Sequence, residues 1–169
     1  MIMQDIRTLF DYDTWATGRA LESVSSVPVD RYLEDLKSSH GGIHGTFVHI
    51  YGSNMIWLQR WRGSSALSSA TTREIPSLES LKGLWKEYQA DLNSYFRSLD
   101  EAKLNGFLSY NDLKGNRQSE PLFQQMQHLI NHSSYHRGQI VTMLRQVGSK
   151  PIGTDLITFY RTKTTTTLS

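Results

Sequence analysis

The sequence predicts an all-α protein, a four-helix bundle with a small irregular or hairpin insertion before the last helix. Four long segments place apolar residues at three- and four-residue steps, which draws one apolar stripe along each predicted helix. Glycine, proline or a capping residue lies close to the ends of these segments. Four amphipathic helices of this length fit a bundle. The long second and third connections leave both up-down-up-down and crossover topologies open.

The first two long helices lie in the N-terminal part of the chain. The first is predicted from Asp5 to Ser25, and Pro28 follows soon after it. A short extra helix is predicted from Val29 to Lys37. The second long helix runs from Ile43 to Trp61, and the polar stretch from Ser64 to Thr72 reads as a surface loop.

The third and fourth long helices enclose the less regular segment. The third is predicted from Ser77 to Leu99, with Ser77 as its N-cap. Between Leu104 and Ser119 the pattern changes to a short hairpin or structured loop. The fourth helix runs from Pro121 to Val147, with Ser119 as its cap and Gly148 as its stop.

Composition bounds the class of protein. A chain of 169 residues suits one domain, predicted here from residue 1 to 163, with 164–169 as a disordered tail. There is no cysteine, which excludes disulfides and thiolate ligands and favours a cytoplasmic protein. The chain has 18 basic and 16 acidic residues without a dense basic run, so nucleic acid is not expected as a partner. No apolar run is long enough to span a bilayer, so no membrane is expected either.

The six histidines fall into two clusters, each on or beside a predicted helix. They are His40, His44 and His49, and then His128, His132 and His136. Histidines four residues apart on a helix share a face and can bind one ion together. His128 and His136 are separated by about 12 Å along the helix axis, so all three cannot easily bind the same ion. One adjacent pair is therefore predicted to bind, and the spacing leaves open which.

A metal such as zinc needs a third ligand from elsewhere in the chain. His49 lies mid-helix among apolar residues, where an imidazole without a partner would be costly. His40 and His44 lie at or before the helix start and are predicted to be exposed. Taken alone, His49 reads more readily as a core residue with one hydrogen bond; together with the pair on the fourth helix it indicates a metal. Asp11 and Asp13 could lend a carboxylate, although a solvated helix face is the favoured interpretation.

Four segments resemble one known family. The run His132-Ser133-Ser134-Tyr135-His136-Arg137-Gly138-Gln139-Ile140, preceded by His128-Leu129-Ile130-Asn131, closely resembles the last-helix signature of the DinB family. Phe47-Val48-His49-Ile50 with Trp57 and Trp61, Tyr12 to Ala16, and Pro151 to Arg161 resemble the family's other motifs. The resemblance covers nearly the whole chain and implies a metal-binding four-helix bundle.

The resemblance also implies the ligands. They are His49, His132 and His136, with His128 as the histidine left over. A homodimer is implied as well. Three imidazoles leave open positions on a divalent ion, zinc or nickel being the best suited to this ligand type.

The resemblance implies two chemistries for such a site, and the residues do not choose between them. One is a metal-dependent transferase that uses a low-molecular-weight thiol; the other is a metal-dependent hydrolase. A non-catalytic metal-binding protein, or a bundle with merely structural histidines, is a further alternative. The small-molecule substrate is not predicted, and Arg137 is expected to fix a helix contact rather than a substrate.

Overall fold

Helices make up most of the chain in the computed structural model, which describes residues 1–64 and 70–167, with side chains up to residue 163. In order, the elements are α1 (Met3–Ser23), α2 (Val29–Tyr32), α3 (Ile43–Trp61), α4 (Leu78–Arg97), α5 (Glu101–Asn105), β1 (Phe107–Asn111), β2 (Arg117–Pro121), α6 (Leu122–Gln146) and α7 (Leu156–Thr167). The predicted helical class is confirmed, and a hairpin does precede the last long helix.

The four long helices fall close to their predicted bounds. The predicted helix from Ile43 to Trp61 is α3 without any shift. Ser77 caps α4 as predicted, because its hydroxyl accepts from the backbone N–H of Ser80. The predicted cap of α6 is wrong: Ser119 lies in β2, paired with Ser109, and Pro121 takes the N-cap position.

The short elements depart further from the prediction. The helix predicted from Val29 to Lys37 ends already at Tyr32. Helices α5 and α7 were not predicted, because neither is long enough to show a clear apolar period. The end of α7 extends to Thr167, four residues into the segment predicted as a disordered tail, after Phe159 has anchored the helix on Tyr12. The loop predicted from Ser64 to Thr72 lies mostly outside the described residues.

Helix α6 is the centre of the fold. It packs mainly against α3 on one side and α1 on another, while α4 contacts both of those helices. The antiparallel hairpin places β2 against the start of α6, with Leu108 opposite Glu120. Within the described residues, no helix is both long and apolar enough to cross a membrane. The α3–α6 seam is the place where both histidine clusters of the sequence meet.

Candidate metal centre

Four imidazoles meet where α3 faces α6. His49 comes from α3 and His132 and His136 come from α6, while His40 comes from the segment before α3. The ring centroid of His49 lies 4.5 Å from that of His136 and 5.0 Å from that of His132. His132 and His136 are 4.4 Å apart, as expected for side chains one helical turn apart.

His136 is fixed in one orientation. Its Nδ1 lies 2.8 Å from the amide oxygen of Gln139, which can only accept, so Nδ1 carries the proton and donates. In the neutral imidazole, this hydrogen bond leaves Nε2 as the acceptor. A hydrogen bond on the far nitrogen that sets the tautomer is common among metal-binding histidines.

His49 and His132 face each other through the same ring atom. Their Nε2 atoms are 3.1 Å apart. One of them must donate for this contact to be a hydrogen bond, and the Nδ1 atom of His132 is then buried without a partner, whichever tautomer it takes. Zinc–imidazole bonds of about 2.0–2.1 Å at a tetrahedral angle place two ligand nitrogens about 3.3 Å apart. The observed separation therefore fits two ligands of one ion.

His40 covers this cluster from outside. Its ring stacks on that of His49 at 3.8 Å with an interplanar angle of 13°, and it meets the ring of His136 edge-on at 5.2 Å. Two glycines allow this approach: a Cβ at Gly45 would collide with the backbone carbonyl of His40, and one at Gly42 with that of Glu34. The segment before α3 can therefore fold back onto the first turn of the helix.

Three imidazoles of the cluster, His40, His49 and His132, resist protonation. Burial, and after it the nearby imidazoles, lower the pKa of both His49 and His132 to about 4. Burial also lowers the pKa of His40, with His136 as the second cause. A neutral imidazole is the form that binds metals, so His49 and His132 would need no deprotonation to bind one at neutral pH.

The rings of the three predicted ligands, His49, His132 and His136, contact one another, but the group of nitrogens that could hold an ion contains His40 in place of His132. Nitrogens of His40, His49 and His136 lie within 4.8 Å of one another, which makes these three residues a group that could hold a metal ion. His132 joins the cluster through its contact with His49. The prediction that His40 is exposed is wrong, since its side chain is half-buried on His49. The glycines around it were the signal for this close packing.

His44 was also predicted to be exposed, and that prediction is wrong. Its side chain is buried, with Nε2 2.7 Å from the carbonyl oxygen of Ile75 and Nδ1 2.9 Å from the hydroxyl of Tyr32. Both ring nitrogens are thus satisfied by the fold. His44 is a structural histidine that ties the first turn of α3 to the segments around it.

The prediction of a solvated face for Asp13 is wrong as well. Asp13 is buried and forms an ion pair with Arg137, which also donates to the hydroxyls of Thr17 and Ser134. Arg137 therefore fixes the contact of α6 with α1, as predicted. Asp11, in contrast, is exposed and bonds Lys163.

His128 lies beside the cluster rather than in it. Its exposed ring is 6.0 Å from that of His132 and contacts Trp57 at 5.4 Å. It occupies the turn of α6 before the predicted ligand pair.

Comparison with known proteins assigns the chain to a family. The sequence model of the DinB family matches residues 3–167 of this chain. The chain is also similar to Protein DinB from Bacillus subtilis (strain 168), with 25% identity over 164 residues that cover 92% of this chain and 94% of that protein. Because the family match spans nearly all of the chain, including every helix described above, this protein belongs to the DinB family.

Proposed function

We propose that this protein binds one divalent metal ion through His49, His132 and His136 and uses it in catalysis. The observation that carries the proposal is the 3.1 Å separation of the two Nε2 atoms of His49 and His132. If the contact is a hydrogen bond, the buried Nδ1 of His132 has no partner. If the two residues are ligands, each ring would direct a lone pair of Nε2 at one ion, and Nε2 of His136 would be free to join them.

Metal binding would also explain the cost of this arrangement. Mutually close, desolvated imidazoles without a complete set of hydrogen bonds are unfavourable in a helix interface. Zinc and nickel are the ions that we expect, because imidazole suits both. His40 is the alternative to His132 as the third ligand, since its nitrogen lies in the same group as those of His49 and His136.

The donor set indicates the chemistry. The group that could hold an ion contains imidazoles alone, in the part of the chain that the structure describes. Neutral ligands leave the full positive charge on a bound ion, which acidifies a coordinated thiol or water. His49, His132 and His136 would orient the ion, and Gln139 would hold the tautomer of His136.

We favour a thiol-dependent S-transferase. A thiolate is already a strong nucleophile, so it needs no carboxylate base, and no acidic side chain joins the imidazole group within the described residues. A metal-dependent hydrolase and a non-catalytic metal-binding protein are the alternatives. Assays with a panel of low-molecular-weight thiols and electrophiles, and with ester and amide substrates, each with and without chelator, separate these three.

Metal analysis tests the binding itself. We expect about one zinc or nickel ion per chain by mass spectrometry of tag-free protein, and none in the His132→Ala, His136→Ala double variant. His128→Ala is the matched control, because it removes a histidine from the same helix one turn away. If the wild type fails to bind metal after reconstitution at neutral pH, or the double variant binds as well as the wild type, the proposed site is wrong.

A further inference from the structure

A cavity lies beside the histidine cluster, between the hairpin and the helices α3 and α6. Its volume is about 250 Å³. The lining consists of Trp57, Tyr110, Glu120, Gln124, Gln125 and His128. Glu120 is the acidic residue of this lining, which contains no lysine or arginine among the described residues. The metal proposal uses none of these side chains.

The hairpin supplies one wall of the cavity. Tyr110 and Glu120 face the same side of the hairpin. Glu120 is paired with Leu108, and Leu108 lies two residues before Tyr110, so both point to the same face of β1. The Tyr110 ring packs edge-on against Trp57 of α3 at 5.0 Å. The wall is therefore built by contacts within the fold.

Gln125 is held with its oxygen unused. Its side-chain nitrogen donates to two hairpin carbonyls, those of Leu108 at 2.8 Å and Glu120 at 2.9 Å. These two acceptors determine which end of the amide is the nitrogen. The amide oxygen is buried without a hydrogen-bond donor, in a residue that is only 3% exposed.

Glu120 contributes a carboxylate to the same cavity. One of its oxygens is buried without a close hydrogen-bond donor, while burial and then the charge of this carboxylate, together with a side-chain hydrogen bond to it, raise the pKa of the Tyr110 hydroxyl. A carboxylate beside a free amide oxygen favours a group that donates N–H bonds, and a cation satisfies a carboxylate better than a neutral donor does. Aromatic side chains such as Trp57 and Tyr110 also attract cations.

The Arg60 guanidinium does not fill this role. It stacks over the rings of Trp57 and Tyr110, 4.7 Å from each centroid, but does not line the cavity. It braces the aromatic wall from its own position in α3. Arg60 donates to neither the amide oxygen of Gln125 nor the buried oxygen of Glu120.

We propose that this cavity binds a primary ammonium group of a small molecule through Glu120 and Gln125, against the rings of Trp57 and Tyr110. His128 lines the cavity, and its ring lies 6.0 Å from that of His132 in the histidine cluster. If the proposed metal function holds, the ammonium end of the substrate is anchored here while its reacting group reaches the histidines. The binding of the ammonium group does not depend on the metal.

The test compares two small probes of equal shape. Benzylammonium and benzyl alcohol are titrated at pH 7 against protein labelled with ¹⁵N, and the indole resonance of Trp57 is followed after assignment with Trp57→Phe. We expect a saturable shift with a dissociation constant about tenfold lower for the ammonium, as a charge-assisted hydrogen bond implies. This comparison uses the wild type and so needs no variant to fold. Equal affinities would overturn the proposal, and the unpartnered oxygens would then be satisfied by ordered water.

Variants locate the effect and separate it from the metal. Glu120→Gln should remove the tenfold preference, whereas Glu22→Gln, which changes an exposed carboxylate on α1, should retain it. The His132→Ala, His136→Ala double variant should also retain it. If the preference disappears in that double variant, the amine was binding to the metal and the proposal is wrong. If metal analysis fails but the preference survives, the cavity stands and only the proposed function falls.

Discussion

His136 and Arg137 are neighbours on α6, yet they enter two different polar clusters. Arg137 extends toward α1, where it pairs with buried Asp13 and donates to the hydroxyl of Thr17. His136 extends toward α3, where it meets the ring of His49. Both clusters lie in the interior of the same set of helices, and both link α6 to a neighbour. They differ in whether the charges and hydrogen-bonding groups within each cluster satisfy one another.

The Arg137 cluster is nearly complete within the chain, with one buried atom, Arg137 Nε, left without a hydrogen-bond partner. Positive and negative charges are matched, and the hydroxyls of Thr17 and Ser134 use further donors of the guanidinium. The guanidinium also lies over the ring of Tyr12, 5.5 Å from its centroid. Such a cluster fixes the register of two helices without an external ligand.

The histidine cluster is not complete. It gathers acceptors of one kind, and a contact between two Nε2 atoms leaves the Nδ1 of His132 without a partner. Burial and neighbouring imidazoles also oppose protonation of His49 and His132. Arg137 Nε is also buried without a partner, so one unsatisfied atom does not distinguish the two clusters. The comparison teaches that buried polarity alone does not mark a functional site; several neutral acceptors gathered without an opposite charge among them do.

The largest effect should come from breaking the complete cluster. Arg137→Ala leaves the Asp13 carboxylate buried and unpaired, so we expect a loss of about 3–5 kcal/mol in the free energy of unfolding. Urea denaturation of the metal-free protein measures it. The double variant Asp13→Leu, Arg137→Met removes both charges and should recover much of this loss. A loss below about 1 kcal/mol for Arg137→Ala would show that the pair does not hold α6 to α1.

Metal removal should act on the incomplete cluster alone. With free metal at about 100 times its dissociation constant, binding adds about 2.7 kcal/mol to the stability of the native state. We therefore expect a chelator to lower the melting temperature of the wild type by several degrees. The His132→Ala, His136→Ala double variant should show no chelator effect. An equal effect on both proteins would place the stabilising metal elsewhere.

The next prediction separates the two candidates for the third ligand. His132→Ala should weaken metal binding more than about 100-fold, since it removes a ligand, whereas loss of a supporting residue costs about 10–100-fold. His40→Ala should fall within or below that lower range, because its ring stacks flat on His49. Competition with a chromophoric chelator measures both constants. The reverse order would make His40 the ligand and His132 its support.

The sequence predicted the long helices well because each has a continuous apolar stripe and clear ends. The period of α3 placed its bounds at Ile43 and Trp61, and Ser77 as the expected N-cap placed the start of α4. Helices α5 and α7 gave no comparable signal, since a short helix is stabilised by what it packs on. Phe159 of α7, buried against Tyr12 and Trp15, illustrates this dependence.

The site could be predicted where a local period or a sequence motif carries it. The spacing of His132 and His136 on one helix face follows from the helix alone, and His49 was predicted from its apolar surroundings and the family resemblance. The structure places His49 across the α3–α6 seam from that pair. The position of His40 depends on a chain reversal that Gly42 and Gly45 permit, and the pairing of Asp13 with Arg137 joins residues 124 positions apart. Neither contact has a period, so neither could be found before the helices were docked.

The smallest predicted effect is a pH dependence that belongs to the histidine cluster. The pKa of His49 and His132 is about 4 in the folded protein and 6.5 ordinarily, so between these values the unfolded chain binds more protons than the native one. This stability is fully present above pH 6.5 and is lost as the pH falls toward 4. The effect is moderated because both imidazoles are partly exposed to solvent.

Urea denaturation of the chelated protein at pH 7, 6 and 5 measures this dependence. The reference is a His49→Phe, His132→Phe double variant, which retains Asp13, Arg137 and every other titrating group outside the pair. Subtracting its pH profile from that of the wild type isolates the two imidazoles, and we expect the difference to favour the wild type less at pH 5 than at pH 7. Parallel profiles would mean that the cluster tolerates protons as readily as an exposed histidine does. The histidine cluster would then not differ from the Arg137 cluster in its electrostatics.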